Sequence, residues 1–210
     1  MFAGLKRFLK KIRELIWPLL EPSESIESKE ITIEDCRWED SEIELMLKYI
    51  EQYAASEENR KNQIESKASI FIGTFTIVIT VLLSLIKDIL FKDVECHNYY
   101  NVIIVFLMSI TVIYLCRAIW FAIKAMGKQK YCKFGFPKFM LDQDNEKKKK
   151  IIIDQYNIIE KNQEGINLKV DYMTMAQEYF KRAIVVVGIL TLFIFINEVI
   201  VMKNVIYIKK

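Results

Sequence analysis

The sequence predicts an all-α membrane protein with three transmembrane helices, long cytosolic helical extensions and an N-terminal amphipathic interfacial helix. Three observations lead there. Apolar residues gather into three long blocks, at 68–91, 101–123 and 183–202, each able to cross about 30 Å of hydrocarbon at roughly 1.5 Å per residue. The chain is 52% hydrophobic and 27% charged, both high, so apolar and charged residues are segregated along it. Six Gly and three Pro in 210 residues leave few breaks, which favours helix throughout.

Residues 1–20, MFAGLKRFLKKIRELIWPLL, place Phe2, Leu5, Phe8, Leu9, Ile12, Leu15, Ile16 and Leu19 at helical spacing. Lys6, Arg7, Lys10, Lys11 and Arg13 fill the opposite side. The longest uncharged run, Leu15–Leu20, is six residues and contains Pro18, too short for a signal-peptide core. The pattern predicts a helix lying in the interface, lysines toward anionic headgroups. The alternative is a helix packed on the protein's own cytosolic part. Residues 21–40 form an acidic connector in which Ile31-Thr-Ile33 alternates like a short strand or extended segment.

Ser41-Glu-Ile-Glu44 fits a capping box and predicts a helix start. Ile43, Leu47, Ile50 and Ala54 share its apolar face, and no breaker follows before Lys67. A cytosolic helix over 41–67 therefore continues into transmembrane helix one at 68–91. Ala68–Ile86 runs nineteen residues without a charge. Within it Ser69, Gly73, Thr76, Thr80 and Ser84 recur every three or four residues, so small or hydroxylated side chains line one face.

Lys87–Tyr100 reads as a short outer turn, with Tyr99 and Tyr100 in an aromatic belt. Transmembrane helix two, 101–123, contains Arg117, which either snorkels to the cytosolic interface or meets a buried partner or a water-lined cavity. Residues 124–182 form a basic cytosolic helical region with thirteen Lys plus Arg against eight Asp plus Glu. Glu164-Gly165 predicts a break there. Beyond it Ile166, Val170, Met173, Gln177 and Phe180 share a face leading into transmembrane helix three, 183–202, with a tail at 203–210. The basic residues put the N-terminus and 124–182 inside the bacterial inner (cytoplasmic) membrane and 87–100 outside. The lysines of the tail then fall outside, and a re-entrant third segment is the alternative.

Composition excludes several classes of chemistry. One histidine, His97, and four scattered cysteines offer no metal-ligand spacing, no disulfide framework and no Ser-His-Asp triad. G-x-G-x-x-G, Walker A and G-x-S-x-G motifs are absent from the sequence. The sequence thus predicts no enzyme and no cofactor.

Two features suit binding or conduction. After the second span, Lys124, Lys128, Lys130, Tyr131, Lys133, Phe134 and Lys138 interleave cations with rings. Lysines neutralise phosphates and ring faces stack on bases, so a nucleotide or single-stranded oligonucleotide is one expected ligand. Anionic membrane lipid suits the same composition. Ser69, Thr76, Thr80 and Ser84, with Asn197 and Glu198 of the third span, offer oxygens to a passing cation. Close helix packing through small residues is the other reading of that stripe. Three spans enclose little pore alone, so conduction requires a homo-oligomer.

A charged helix with Ser66-Lys67-Ala68 runs straight into the first span, followed by a short outer hairpin and a basic cytosolic stretch. Asn167-x-Lys169, Ala176, Tyr179-Phe180 and Ala183 then lead into the final span. This pattern resembles the small multi-span membrane effectors of bacterial anti-phage defence, namely the Pycsar-type membrane effectors and the effector of the Hailong system. The resemblance is architectural and covers roughly residues 55–200. It implies an oligomeric membrane protein that disrupts membrane potential, controlled by a nucleotide or oligonucleotide made by a partner nucleotidyltransferase or cyclase. Effectors with a dedicated cyclic-nucleotide domain differ from this chain, whose helices and loops must read the ligand themselves. The alternative function is a non-conducting membrane scaffold that recruits a cytosolic partner protein through its helical extensions.

Overall fold

The structure is a computed structural model that describes residues 13–14, 16–20, 30–35, 38–91, 99–127, 131–132 and 145–208. Side chains are described for these except at 34, 40, 90–91 and 198–208. The described residues contain no strand. They form three long helices, α1 (Ile43–Phe91), α2 (Tyr99–Met126) and α3 (Asn145–Ile208), with short 3-10 turns at Ile33–Asp35 and Asp40–Glu42. All three helices are long and apolar enough to cross a membrane.

Local chemistry explains where the elements start. Glu42 reaches back to accept from the Glu39 N–H at 3.3 Å, a capping box two residues earlier than the Ser41–Glu44 pattern predicts. Glu44 is drawn away by Lys148, at 2.6 Å. Ile31-Thr-Ile33 is not a strand: the Asp35 carboxylate accepts from the Thr32 N–H (3.0 Å) and hydroxyl (2.9 Å) and closes a 3-10 turn. The expected break at Glu164-Gly165 is also overturned, because α3 passes through both residues. One interior glycine costs about 1 kcal/mol relative to Ala. Burying Ile159 and Ile166 on either side of it offsets that. No turn interrupts α3 near 183–202, so the re-entrant alternative has no loop to use.

The chain divides into two compact units, one drawn from Met1–Leu20, Ser69–Ile123 and Met173–Lys210, the other from Glu21–Ala68 and Lys124–Tyr172. In the second unit α1 and α3 run parallel. Their cross-helix partners rise together in number: Glu44 with Lys148, Tyr53 with Glu160, Arg60 with Asn167 and Glu65 with Lys169. Ile43 and Ile50 pack on Ile152 and Ile159, and Ile64 and Ile166 continue the same seven-residue register. A sustained seven-residue repeat keeps one seam facing the partner helix. Ile31 and Trp38 lie on this pair. Ile31 exchanges two hydrogen bonds with the Asn157 amide (3.0 and 2.9 Å), and Trp38 packs against the isoleucine cluster.

In the first unit three helices meet. Leu82, Ile86 and Ile89 of α1 pack with Tyr100, Ile104, Leu107 and Met108 of α2 and with Leu190 and Phe193 of α3. The end of α1 therefore meets the start of α2, which returns antiparallel. Phe71 and Phe75 pack on Phe180, the closest ring centroids being 4.6 Å apart. The apolar window of α1 is only 6% buried in the chain, against 33% for α2, so most of the apolar surface of α1 is left for other surroundings.

Candidate conduction face and ligand-binding residues

Ser69, Thr76, Thr80 and Ser84 all lie exposed along α1. The Thr76 hydroxyl donates to the Ile72 carbonyl at 2.7 Å, and that of Thr80 to the Thr76 carbonyl at 2.9 Å. Back-bonding satisfies each donor within the helix and leaves oxygen lone pairs outward. A Cβ added at Gly73 would meet nothing within 4 Å, and the same holds at Gly188 of α3. Thr191, one turn beyond Gly188, is exposed and back-bonded to Val187 at 2.9 Å. Close packing of the α1 stripe against α2 or α3 of the same chain is thereby excluded. Asn197 is half-buried on α3. The side chain of Glu198 lies outside those described.

The basic-aromatic stretch is described only in part. Lys128, Lys130, Lys133, Phe134 and Lys138 lie outside the described residues. Lys124 sits over the Tyr172 ring at 5.5 Å. Tyr131 belongs to a separate cluster, with Lys61 4.7 Å and Lys169 5.8 Å from its ring centroid. Lys169 is 1% exposed and ion-paired with Glu65 at 2.5 Å. The Tyr131 hydroxyl is buried without a hydrogen-bond partner, and burial pushes its pKa up. Two ammonium groups thus already lie over a ring that the sequence offers as a stacking platform. Next to it, Cys132 exchanges two backbone hydrogen bonds with the Asn162 side chain, at 2.8 and 2.9 Å.

Sequence reasoning missed Lys61, Glu65 and Lys169 as a group. The available signal was Lys169 three residues after Ile166, on the seam side of a heptad, where a polar residue fixes register. Of the readings offered for Arg117, a buried partner is the one its surroundings fit, and the partner is aromatic rather than acidic. Its guanidinium lies over three rings, Trp17 at 4.8 Å, Phe121 at 5.4 Å and Tyr179 at 5.6 Å, and its Nε is buried without a hydrogen-bond partner. The 13–20 segment completes that cage. The carbonyls of Glu14, Ile16 and Pro18 accept from Arg182 (3.1 Å), Tyr114 (3.1 Å) and Tyr179 (3.0 Å). Most of the expected 1–20 helix lies outside the described residues; this described part packs on the protein's own helices.

A cavity of about 440 Å³ lies in the second unit, where Ile31, Asp35 and Trp38 meet α1 and α3. Trp38, Tyr49, Tyr53 and Tyr156 supply four of its walls and isoleucines much of the rest. The Tyr53 hydroxyl donates to Glu160 at 3.2 Å and accepts from Gln163. Burial, with the Glu160 carboxylate behind it, pushes the Tyr53 phenol up to about 12. The Tyr156 phenol is raised by the same two causes. Among the described residues no group of three or more His, Cys, Asp and Glu is placed to hold a metal ion.

No family model matches the chain, no curated protein matches it, and no solved structure matches it.

Proposed function

We propose that this chain is a homo-oligomeric membrane channel that acts as a ligand-controlled effector of bacterial anti-phage defence, dissipating membrane potential when opened. One observation carries the conduction part: Ser69, Thr76, Thr80 and Ser84 face away from the chain's own helices. A hydroxyl-bearing stripe on an otherwise apolar span finds its complement in water or in another copy around an axis. The three long apolar helices support insertion. Lys124, with the lysines between 128 and 138, supplies cations for an anionic ligand such as a nucleotide or single-stranded oligonucleotide. That ligand and a partner nucleotidyltransferase or cyclase rest on the architectural likeness to defence effectors.

Ion flux from liposomes holding the purified protein tests conduction. The expected result is flux that changes on addition of oligonucleotide. A protein that never conducts, with or without oligonucleotide, sinks the channel reading. Lys128→Glu with Lys130→Glu and Lys133→Glu tests the ligand patch: oligonucleotide affinity should collapse and its salt dependence flatten with the charges lost. Unchanged affinity would assign those lysines to lipid.

A further inference from the structure

The cations of the first unit near Tyr179 are not equally provided for. Lys181 and Arg182 both pair with Glu178, at 2.6 and 3.0 Å, and Arg13 meets Glu14 at 4.0 Å. Arg182 also donates to the Glu178 and Glu14 carbonyls, at 2.7 and 3.1 Å. Arg117, in contrast, makes no hydrogen bond and no ion pair among the described residues, and its Nε is buried. The rings of Trp17, Phe121 and Tyr179 attract its charge. Ring faces are weak acceptors, though, and a guanidinium carries five N–H donors in one plane. Its level along the helices follows from α3. Tyr179 lies one turn before Ala183, where charged sequence gives way to an apolar run. Trp17 and Tyr114 gather around Tyr179, with ring centroids 5.6 and 6.3 Å from its own. Trp and Tyr concentrate where hydrocarbon meets headgroups, so Arg117 falls at headgroup level. On α2, Ile113 and Trp120 share its face, four residues before it and three after, and each is 53% exposed. A cation without an anion, flanked by outward apolar side chains, matches an amphiphile with an anionic head. Guanidinium takes phosphate through two parallel N–H bonds.

We infer that Arg117 is the headgroup site of a bound glycerophospholipid: its N–H groups hold the phosphodiester, Trp120 lies at the headgroup end, and the acyl chains run along α2 past Ile113. Phosphate is chemistry that a lipid shares with free inorganic phosphate, and the exposed apolar flank of α2 selects the lipid. The site rests on the reading of α2 and α3 as membrane spans. It is independent of conduction and of the anionic ligand assigned to the 124–138 lysines.

Native mass spectrometry of the full chain, purified in detergent and freed of lipid, counts bound molecules as dioleoylphosphatidylglycerol is added. One lipid per chain should bind before weaker sites fill. Dioleoylglycerol, which has the same chains and no phosphate, should bind about tenfold more weakly or worse, the worth of a charge-assisted hydrogen bond. Arg117→Gln should weaken phosphatidylglycerol binding by the same factor. Lys181→Gln removes a lysine that is 67% exposed and already paired, and should change affinity by no more than about threefold. An equal loss in both variants makes the effect one of overall charge and overturns the inference. Equal affinity for the two lipids, or displacement of the lipid by inorganic phosphate at equal concentration, overturns it as well. Unchanged affinity in Arg117→Gln leaves the guanidinium to water, with the same consequence. If Arg117→Gln loses its helical circular dichroism, Arg117→Lys carries the test: it keeps the charge without the planar fork, so affinity should fall, and an unchanged value overturns the inference. A chain that stays in solution without detergent overturns insertion itself, a failure distinct from that of an inserted chain with no preference for phosphate.

Discussion

Lys169 is among the most deeply buried side chains of the described chain, and its charge is met by Glu65 at 2.5 Å. A buried ammonium tolerates burial only when paired, and such a pair specifies alignment more than it adds stability. Here it ties α1 to α3 at one register. Glu65→Ala should therefore destabilise the protein by about 2–3 kcal/mol, below the ~3–5 of a fully buried pair because the Glu65 side chain is 34% exposed. The double variant Glu65→Ala with Lys169→Met should recover most of that loss, since neither charge is then left alone. Denaturant unfolding in detergent measures both. A single variant no more costly than breaking the exposed Lys181–Glu178 pair would remove the register role from Lys169.

Tyr53 gives a residue-scale prediction in pH. Its phenol is raised from 10.0 to about 12 by burial and by Glu160. The folded state thus holds a proton that the unfolded state releases near pH 10. The stability linked to Tyr53 is complete below that pH and is lost as pH rises through about 12. Alkaline titration of phenolate absorbance should show a late-titrating group that Tyr53→Phe removes. A Tyr53→Phe protein with an unchanged late phase would place that phenol elsewhere.

At the scale of the element, continuity is the main property. The α1 range over Ile43–Phe91 follows from an absence of breakers, and α3 shows that one glycine is too weak a breaker when buried isoleucines flank it. The seam between α1 and α3 is held by Ile43, Ile50, Ile152 and Ile159. Ile159→Ala should cost about 2–4 kcal/mol through lost burial and the cavity it leaves. A loss under about 1 kcal/mol, below the range for such deletions, would show that the seam collapses to refill the space.

The docked 13–20 segment is the other element with a direct test. Backbone carbonyls of Glu14, Ile16 and Pro18 are captured by side chains of α2 and α3, and Trp17 meets Tyr179 edge-on at 5.6 Å. Tyr179→Phe keeps the ring stack with Phe121 and removes one donor. Amide exchange at Trp17, whose N–H donates to Arg13, should quicken by a factor of about 2–12, the worth of one hydrogen bond. Unchanged exchange would mean that the rings alone hold the segment.

For the whole molecule, the outward faces separate the channel reading from the scaffold reading. Gly73 has room for a side chain within its own chain. Gly73→Leu should leave each chain folded, by helical circular dichroism, while breaking assembly if a second copy approaches there. Thr76→Leu with Thr80→Leu should abolish liposome flux and leave the assembly size unchanged. The scaffold reading predicts the reverse: perturbed assembly with no conductance to lose. Light scattering and flux on the same preparations separate the two.

The sequence by itself determined the helical class, the three apolar blocks and the small hydroxylated stripe, because each is a periodic or compositional property of contiguous residues. It also placed the Ile43 and Ile50 face correctly, since that face repeats locally. Tertiary structure alone decided that the Ser69–Ser84 stripe faces outward, that Arg117 sits among Trp17, Phe121 and Tyr179, and that Lys61 and Lys169 meet over Tyr131. It alone brought Asp35 and Trp38 to the wall of a cavity shared with Tyr53 and Tyr156. Helical periodicity says which residues share a face. It is silent on which distant helix that face meets, because such pairings depend on contacts between residues some hundred positions apart, as Lys169 and Glu65 are.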